Sequence, residues 1–260
     1  MPSARPFFTF TGFSYIVSAM RNVFIADAHL RSPDDHNYRM LLEFLATLRG
    51  TTDTLFILGD LFEFWIGHRS VPYRHYLPVL DALQDLQVNG TEIVYFEGNH
   101  DFHMGPFFEK TLQARIFKGP AVLELEGRKV YLCHGDEMNR RDHAYRLLRF
   151  VFHSRLTKML ALIVPPAVPS FIADRLGRKS KKSHKIKREK WDYPSIIRSF
   201  AAARFAAGCD VVITGHFHLP FHEHSSDGPR HLLVSLGDWI THFTYAEWSD
   251  GSISLKRFPA

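Results

Sequence analysis

The chain has 260 residues, 45% hydrophobic and 23% charged, which is ordinary for a soluble globular protein and enough for one large domain. Two cysteines, Cys133 and Cys209, are too few for a disulfide framework, and both fall in apolar runs that read as reduced core. The net charge of +5 favours phosphates, nucleic acids or anionic membrane surfaces as partners.

The aromatic stretch PFFTFTGFSYIVSA precedes Met20. Its end, VSA, resembles a signal-peptide cleavage site, but Thr, Gly and Ser interrupt the apolar part and only Arg5 precedes it. The expectation is a non-core extension over residues 1–20, with Met20 the functional start and the domain spanning 21–260.

Asn22–Ala26 then predicts a strand. A helical stripe follows in Asp34–Arg49, with Met40, Leu41, Phe44, Leu45 and Leu48 on one face. Thr54–Leu58 is a second strand. Tyr73–Val88 is a second helix, with Leu77, Leu80, Leu83 and Leu86 at helical spacing, and Glu92–Phe96 is a third strand. This order implies a parallel sheet between helices. Ala121–Leu125 and Lys129–Cys133 form a hairpin, Asp210–Thr214 is a buried strand, and the β-rich C-terminus turns at Ser249-Asp250-Gly251. Residues 141–206 break the pattern. They read as a basic helical insert over the carboxyl edge of the sheet. Within it, LTKMLALIVPPAVPSFIA comes nearest to a membrane span, but Lys158 and three prolines interrupt it.

Each core strand ends on a polar break: IADAHL, ILGDLFEFW, FEGNHD, LCHGDE and ITGHFHLP. In a parallel sheet these breaks converge on one face, where ligands bind. They carry Asp27, His29, Asp60, Asn99, His134, His216 and His218, all oxygen and nitrogen donors without sulfur, a set that suits a pair of divalent first-row ions. A carboxylate such as Asp60 can bridge two ions about 3.5–4 Å apart. Glycines 59, 98, 135 and 215 let the backbone turn beside the donors. One Asp or His after a strand is commonly a cap or a satisfied core residue. Five such motifs in this order are hard to obtain by accident.

The ordered set, Asp27-Ala28-His29, Gly59-Asp60, Gly98-Asn99-His100-Asp101, His134-Gly135-Asp136 and Gly215-His216-Phe217-His218, resembles the calcineurin-like metallophosphoesterase family. The resemblance implies an α/β fold, a β-sandwich flanked by helices with the insert over the active site. It implies one ion on Asp27, His29, Asp60 and His218, and a second on Asp60, Asn99, His134 and His216. Manganese is the first expectation, with iron(II) or zinc as alternatives. Two cations lower the pKa of a shared water. His100 is then free to donate to a phosphoryl oxygen or the leaving group. Asp101 either holds the His100 tautomer or caps the turn.

Within the family, GDLFEFWIG, LGDWITHFTY and the helical insert are similar to the UDP-2,3-diacylglucosamine hydrolase (diphosphatase) branch of lipid A synthesis. That likeness implies a UDP-linked glycolipid substrate, contacted by Asn99, His100, Asp142, Ser180, His184, Lys187 and His216. It implies a cytoplasmic enzyme held peripherally on the anionic inner-membrane surface. His100 departs from the Arg of that branch, and His184 from its Asn. Leu156, Met159, Leu160, Leu162, Ile163 and Val164 would wall an acyl chamber or simply pack helices. RKSKKSHKIKREK would meet phosphates or stand in solvent. No aromatics interleave its charges, so a nucleic-acid partner is not expected. The alternative activity is a dinuclear-metal phosphoesterase for another phosphoester, a nucleotide, a nucleic acid or a small phosphodiester. A metal-free scaffold would have no need of every donor. Oligomeric state is not specified by the sequence.

Overall fold

The computed structural model describes residues 20–67, 73–139, 141, 142, 147, 151, 154, 157, 190–225, 228 and 230–259. Ser180, His184, Lys187, the acyl-chamber residues, the basic run as far as Glu189 and residues 1–19 of the N-terminal extension lie outside them.

Three strands predicted by apolar runs pair in parallel: β1 (Asn22–Ile25), β2 (Thr54–Ile57) and β4 (Glu92–Phe96). Helices α1 (His36–Leu48) and α2 (Leu77–Val88) connect them. Alternation along each strand sends Val23, Ile25, Leu55, Ile57, Ile93 and Tyr95 toward these helices. Phe24, Ala26, Phe56, Leu58, Val94 and Phe96 face the other way. Both faces are buried, which is why these strands read as unbroken apolar runs. One expectation fails locally: Leu77 is exposed, and Val79 joins Leu80, Leu83 and Leu86 in the core instead.

What covers the second face is another sheet, so the single parallel sheet implied by element order becomes half of a sandwich. The short β3 (Trp65–Ile66) and β5 (Asp101–Phe102) pair beside it in a ribbon, and β6 (Arg115–Phe117) extends β4. The second sheet uses β7 (Ala121–Leu125), β8 (Arg128–Cys133), β9 (Val211–Thr214), β10 (Pro220–His224) and β11 (Leu232–Leu236), in the order β10-β11-β9-β8-β7. β12 (Thr244–Ser249) and β13 (Ser252–Arg257) then return to the first sheet, giving β13-β12-β1-β2-β4-β6. Their turn carries Asp250 and Gly251 at φ 51° and 72°, as a tight hairpin requires. Val130, Leu132, Val211, Ile213, Val234 and Trp248 fill the space between the sheets. Each such side chain stabilises the fold by about 1.5–3 kcal/mol.

The end of the predicted insert is part of this core. Helix α3 (Tyr193–Ala206) lays Ile197, Ala201 and Phe205 on the outer face of the second sheet, against Val212 and Leu233. Asp192 caps it, its carboxylate accepting from the Ser195 amide at 3.2 Å. Cys133 and Cys209 are free and buried in the same layer. No helix among the described residues is long and apolar enough to cross a membrane.

Candidate metal centre

β1, β2, β4, β8 and β9 all deliver their carboxyl ends to one side of the sandwich. The backbone there turns abruptly. Asp27, His29, Asp60, His216 and His218 have φ of 56°, 45°, 54°, 70° and 55°. Left-handed conformations cost non-glycine residues about 1–3 kcal/mol each and persist only where surrounding contacts fix them. Here the Asp27 amide donates to the Gly59 carbonyl (3.1 Å), the His29 amide to the Asp60 carbonyl (3.0 Å) and the His216 amide to the Asp27 carboxylate (2.6 Å). Of the motif glycines, Gly98 and Gly215 serve close approach rather than a positive φ. A Cβ on Gly98 would lie 2.2 Å from Asp60 Oδ1, and one on Gly215 2.6 Å from Asp27 Oδ2.

The donor atoms form two groups that share Asp60. In the first, Asp27 Oδ1 lies 3.9 Å from His29 Nε2 and 3.8 Å from His218 Nε2, and His29 Nε2 lies 3.7 Å from Asp60 Oδ2. In the second, His134 Nε2 lies 3.4 Å from Asp60 Oδ2, 3.1 Å from Asn99 Oδ1 and 3.2 Å from His216 Nδ1. Donors about 2.0–2.2 Å from one cation stand roughly 3–4 Å from one another, so both spacings fit an ion. Asp27 Oδ1 is buried and accepts no hydrogen bond. An anionic oxygen so placed is stable only beside positive charge. The hard-to-intermediate N and O donors fit divalent first-row metals.

Without cations, protons carry the compensation. Burial pushes the Asp27 carboxyl up to about 6 against the pull of His218 and His134. Burial would also raise Asp60, but His134, His100 and His29 together hold it well below the usual carboxylate range. His134 and His218 are raised against the effect of their own burial, chiefly by Asp60 and Asp27 respectively.

The imidazoles are aimed from behind. His134 Nδ1 donates to the Leu58 carbonyl at 2.7 Å, which leaves Nε2 for the centre. His100 Nδ1 likewise faces the Glu63 carbonyl at 2.7 Å, and the His100 amide donates to Asp60 Oδ1 at 2.9 Å. A carbonyl only accepts, so the Nδ1 proton is fixed and Nε2 is the working nitrogen. His100 groups with His29 and Asp60.

Asp101 does not meet the His100 ring, which corrects one of its two expected roles. Its Oδ1 accepts from the amides of Asp60 (2.9 Å) and Gly98 (3.0 Å). Its Oδ2 accepts from the amides of Leu61 (2.6 Å) and Phe62 (3.3 Å) and from the Tyr95 hydroxyl (2.5 Å). Asp101 therefore clamps the loop that carries Asp60. Burial and the nearby Asp60 charge push its carboxyl up to about 7. The Asp142 amide donates to the Asn139 carbonyl at 3.2 Å.

Sequence reasoning missed two residues. Glu63 offers its carbonyl to His100, and its carboxylate lies 3.7 Å from His29 Nδ1 while bonding Arg31 at 2.8 Å. Asp238 is buried behind His218, with 3.2 Å between its Oδ2 and His218 Nδ1. The signal was present: Leu236-Gly237-Asp238 ends β11 as Leu58-Gly59-Asp60 follows β2.

Residues 20–220 match the calcineurin-like phosphoesterase family. The chain belongs to that family and is a metal-dependent phosphoesterase. Its relatives narrow the class. It is 31% identical to the UDP-2,3-diacylglucosamine hydrolase of Aeromonas salmonicida, over 92% of this chain and 93% of that protein. The hydrolase of the same name from Serratia proteamaculans is 32% identical over 92% of this chain and 100% of its own length. That of Neisseria meningitidis serogroup B is 31% identical over 86% and 90%.

Proposed function

We propose that the chain hydrolyses the pyrophosphate of UDP-2,3-diacylglucosamine, releasing UMP and 2,3-diacylglucosamine 1-phosphate. The observation that carries the hydrolytic reading is the pair of donor groups meeting at Asp60 Oδ2. The substrate rests on the relatives' shared name over most of the chain. Asp27, His29, Asp60 and His218 would hold one divalent ion, and Asp60, Asn99, His134 and His216 the other. Manganese is the proposed metal. Bound there, the ions would supply a water of lowered pKa and neutralise charge on phosphoryl oxygens.

The chain's own residues do the rest. Asp101 and Gly98 bring the Asp60 loop against the Asn99 turn, so the two donor groups stand at a fixed separation. His100, with its Nδ1 proton held by the Glu63 carbonyl, presents Nε2 to the phosphoryl group and, as the doubly protonated imidazolium, donates the Nε2 proton there. Asp142, Ser180, His184 and Lys187, with Asn99 and His216, contact the UDP-linked headgroup. The basic residues of 178–190 meet an anionic membrane surface from the cytoplasmic side, each contributing about 1 kcal/mol.

His100→Ala is expected to lower kcat by about 10²–10⁴-fold with both ions retained. Metal content measured beside turnover checks this, and an emptied site would make His100 a ligand instead. The substrate reading is tested by comparing kcat/KM for UDP-2,3-diacylglucosamine in mixed micelles with that for UDP-N-acetylglucosamine, which lacks the acyl chains. A strong preference for the acylated substrate supports the reading, and equal rates contradict it.

A further inference from the structure

The turn after β11 contains a carboxylate that the reaction as described does not use. Asp238 is 2% exposed. Its Oδ1 accepts from the amides of Ile240 (3.0 Å), Thr241 (2.7 Å) and His242 (3.0 Å), and lies 3.2 Å from the Thr241 hydroxyl. Its Oδ2 lies 3.2 Å from His218 Nδ1 and 3.2 Å from His242 Nδ1. The neighbouring Trp239 amide donates to the Asp27 carbonyl at 3.1 Å, which ties the turn to the other side of the same metal position.

We propose that Asp238 is a positioning residue for the ion held by Asp27, His29, Asp60 and His218. A carboxylate only accepts, so it keeps a proton on His218 Nδ1. The lone pair then stays on Nε2, the atom 3.8 Å from Asp27 Oδ1, the buried oxygen that accepts no hydrogen bond. Such outer partners fix ring orientation and tautomer, and losing one costs 10–100-fold in metal affinity. The other oxygen holds the turn in shape. His242 is the outward member of the network, its side chain 37% exposed and its Nδ1 on the same oxygen that aims His218.

Asp238→Asn separates this role from a purely structural cap. The amide oxygen can still accept from the three backbone amides. The amide NH₂ replaces Oδ2 and is itself a donor, facing two ring nitrogens that also donate. His218 keeps a bond only by moving its proton to Nε2, which removes the lone pair from the site. The expected result is a chelator-treated D238N protein that melts close to the parent. On titration with Mn²⁺ or Zn²⁺, one of its two sites is weakened by about 10–100-fold. Parent-like affinity at both sites would make Asp238 a turn cap only and overturn the inference.

A second measurement needs no variant. In the zinc-loaded parent, histidine ¹H–¹⁵N correlation is expected to show His218 with zinc on Nε2 and a slowly exchanging Nδ1 proton. Zinc on Nδ1, or no Nδ1 proton, overturns the inference even if D238N fails to fold. The inference rests on His218 being a ligand and not on the substrate. A parent that binds two ions but ignores the glycolipid ends the proposed function and leaves the role of Asp238 standing.

Discussion

Asp60→Ala is expected to abolish turnover and to strip more bound metal than any other single donor substitution. Every other donor serves one group, whereas Asp60 Oδ2 stands 3.7 Å from His29 Nε2 and 3.4 Å from His134 Nε2, between both. Its second oxygen holds the His100 amide at 2.9 Å, so the truncation also frees the turn that carries His100. The free chain should fold, because the left-handed turn at Asp60 is fixed by the main chain and by Asp101. Metal analysis after chelation, reloading and gel filtration checks the prediction. A variant with two ions and measurable turnover would end the bridging assignment.

The second large effect is on stability. Asp101→Ala leaves the buried amides of Asp60, Leu61 and Phe62 and the Tyr95 hydroxyl without this acceptor, while the Gly98 amide keeps the Asp101 carbonyl at 3.0 Å. Each orphaned buried group costs about 1–3 kcal/mol, so the sum rivals the 5–15 kcal/mol by which a domain is usually stable. The metal-free variant is expected to be unfolded or close to it in urea titration. Asp101→Asn should lose much less. Its amide oxygen replaces Oδ1 for Asp60 and Gly98, and the Tyr95 hydroxyl can turn to accept from its NH₂, so only the Leu61 and Phe62 amides lose their acceptor. A loss under 1 kcal/mol for Asp101→Ala would show that water or backbone movement satisfies the loop.

The donors were legible in the sequence because the chemistry demands particular residue types at strand ends. His29, His134 and His216 have few other reasons to follow apolar runs. The parallel β1-β2-β4 core was legible for the same reason its strands are: burial on both faces makes them continuous. The antiparallel edge of that same sheet was not. β12 pairs with β1 across more than two hundred residues, Trp248 opposite Asn22, and no local periodicity records so distant a contact. Asp101 illustrates a subtler limit. Adjacency to His100 suggested a partner for that ring. A carboxylate one residue on from a sharp turn instead points back into the loop, and only coordinates reveal the five donors waiting there. Asp238 sat in a visible strand–Gly–Asp break. Its chemistry depends on His218 arriving from β9, the strand beside β11 in the sheet.

One measurement bears most directly on the central claim. The purified chain, loaded with Mn²⁺, is given UDP-2,3-diacylglucosamine in mixed micelles while UMP is followed by chromatography, with Asp60→Ala as the blank. Metal-dependent appearance of UMP and diacylglucosamine 1-phosphate in equal amounts, absent from the blank, is the predicted result. An intact glycolipid, beside metal-dependent cleavage of a small phosphodiester or of nucleic acid by the same preparation, would contradict it.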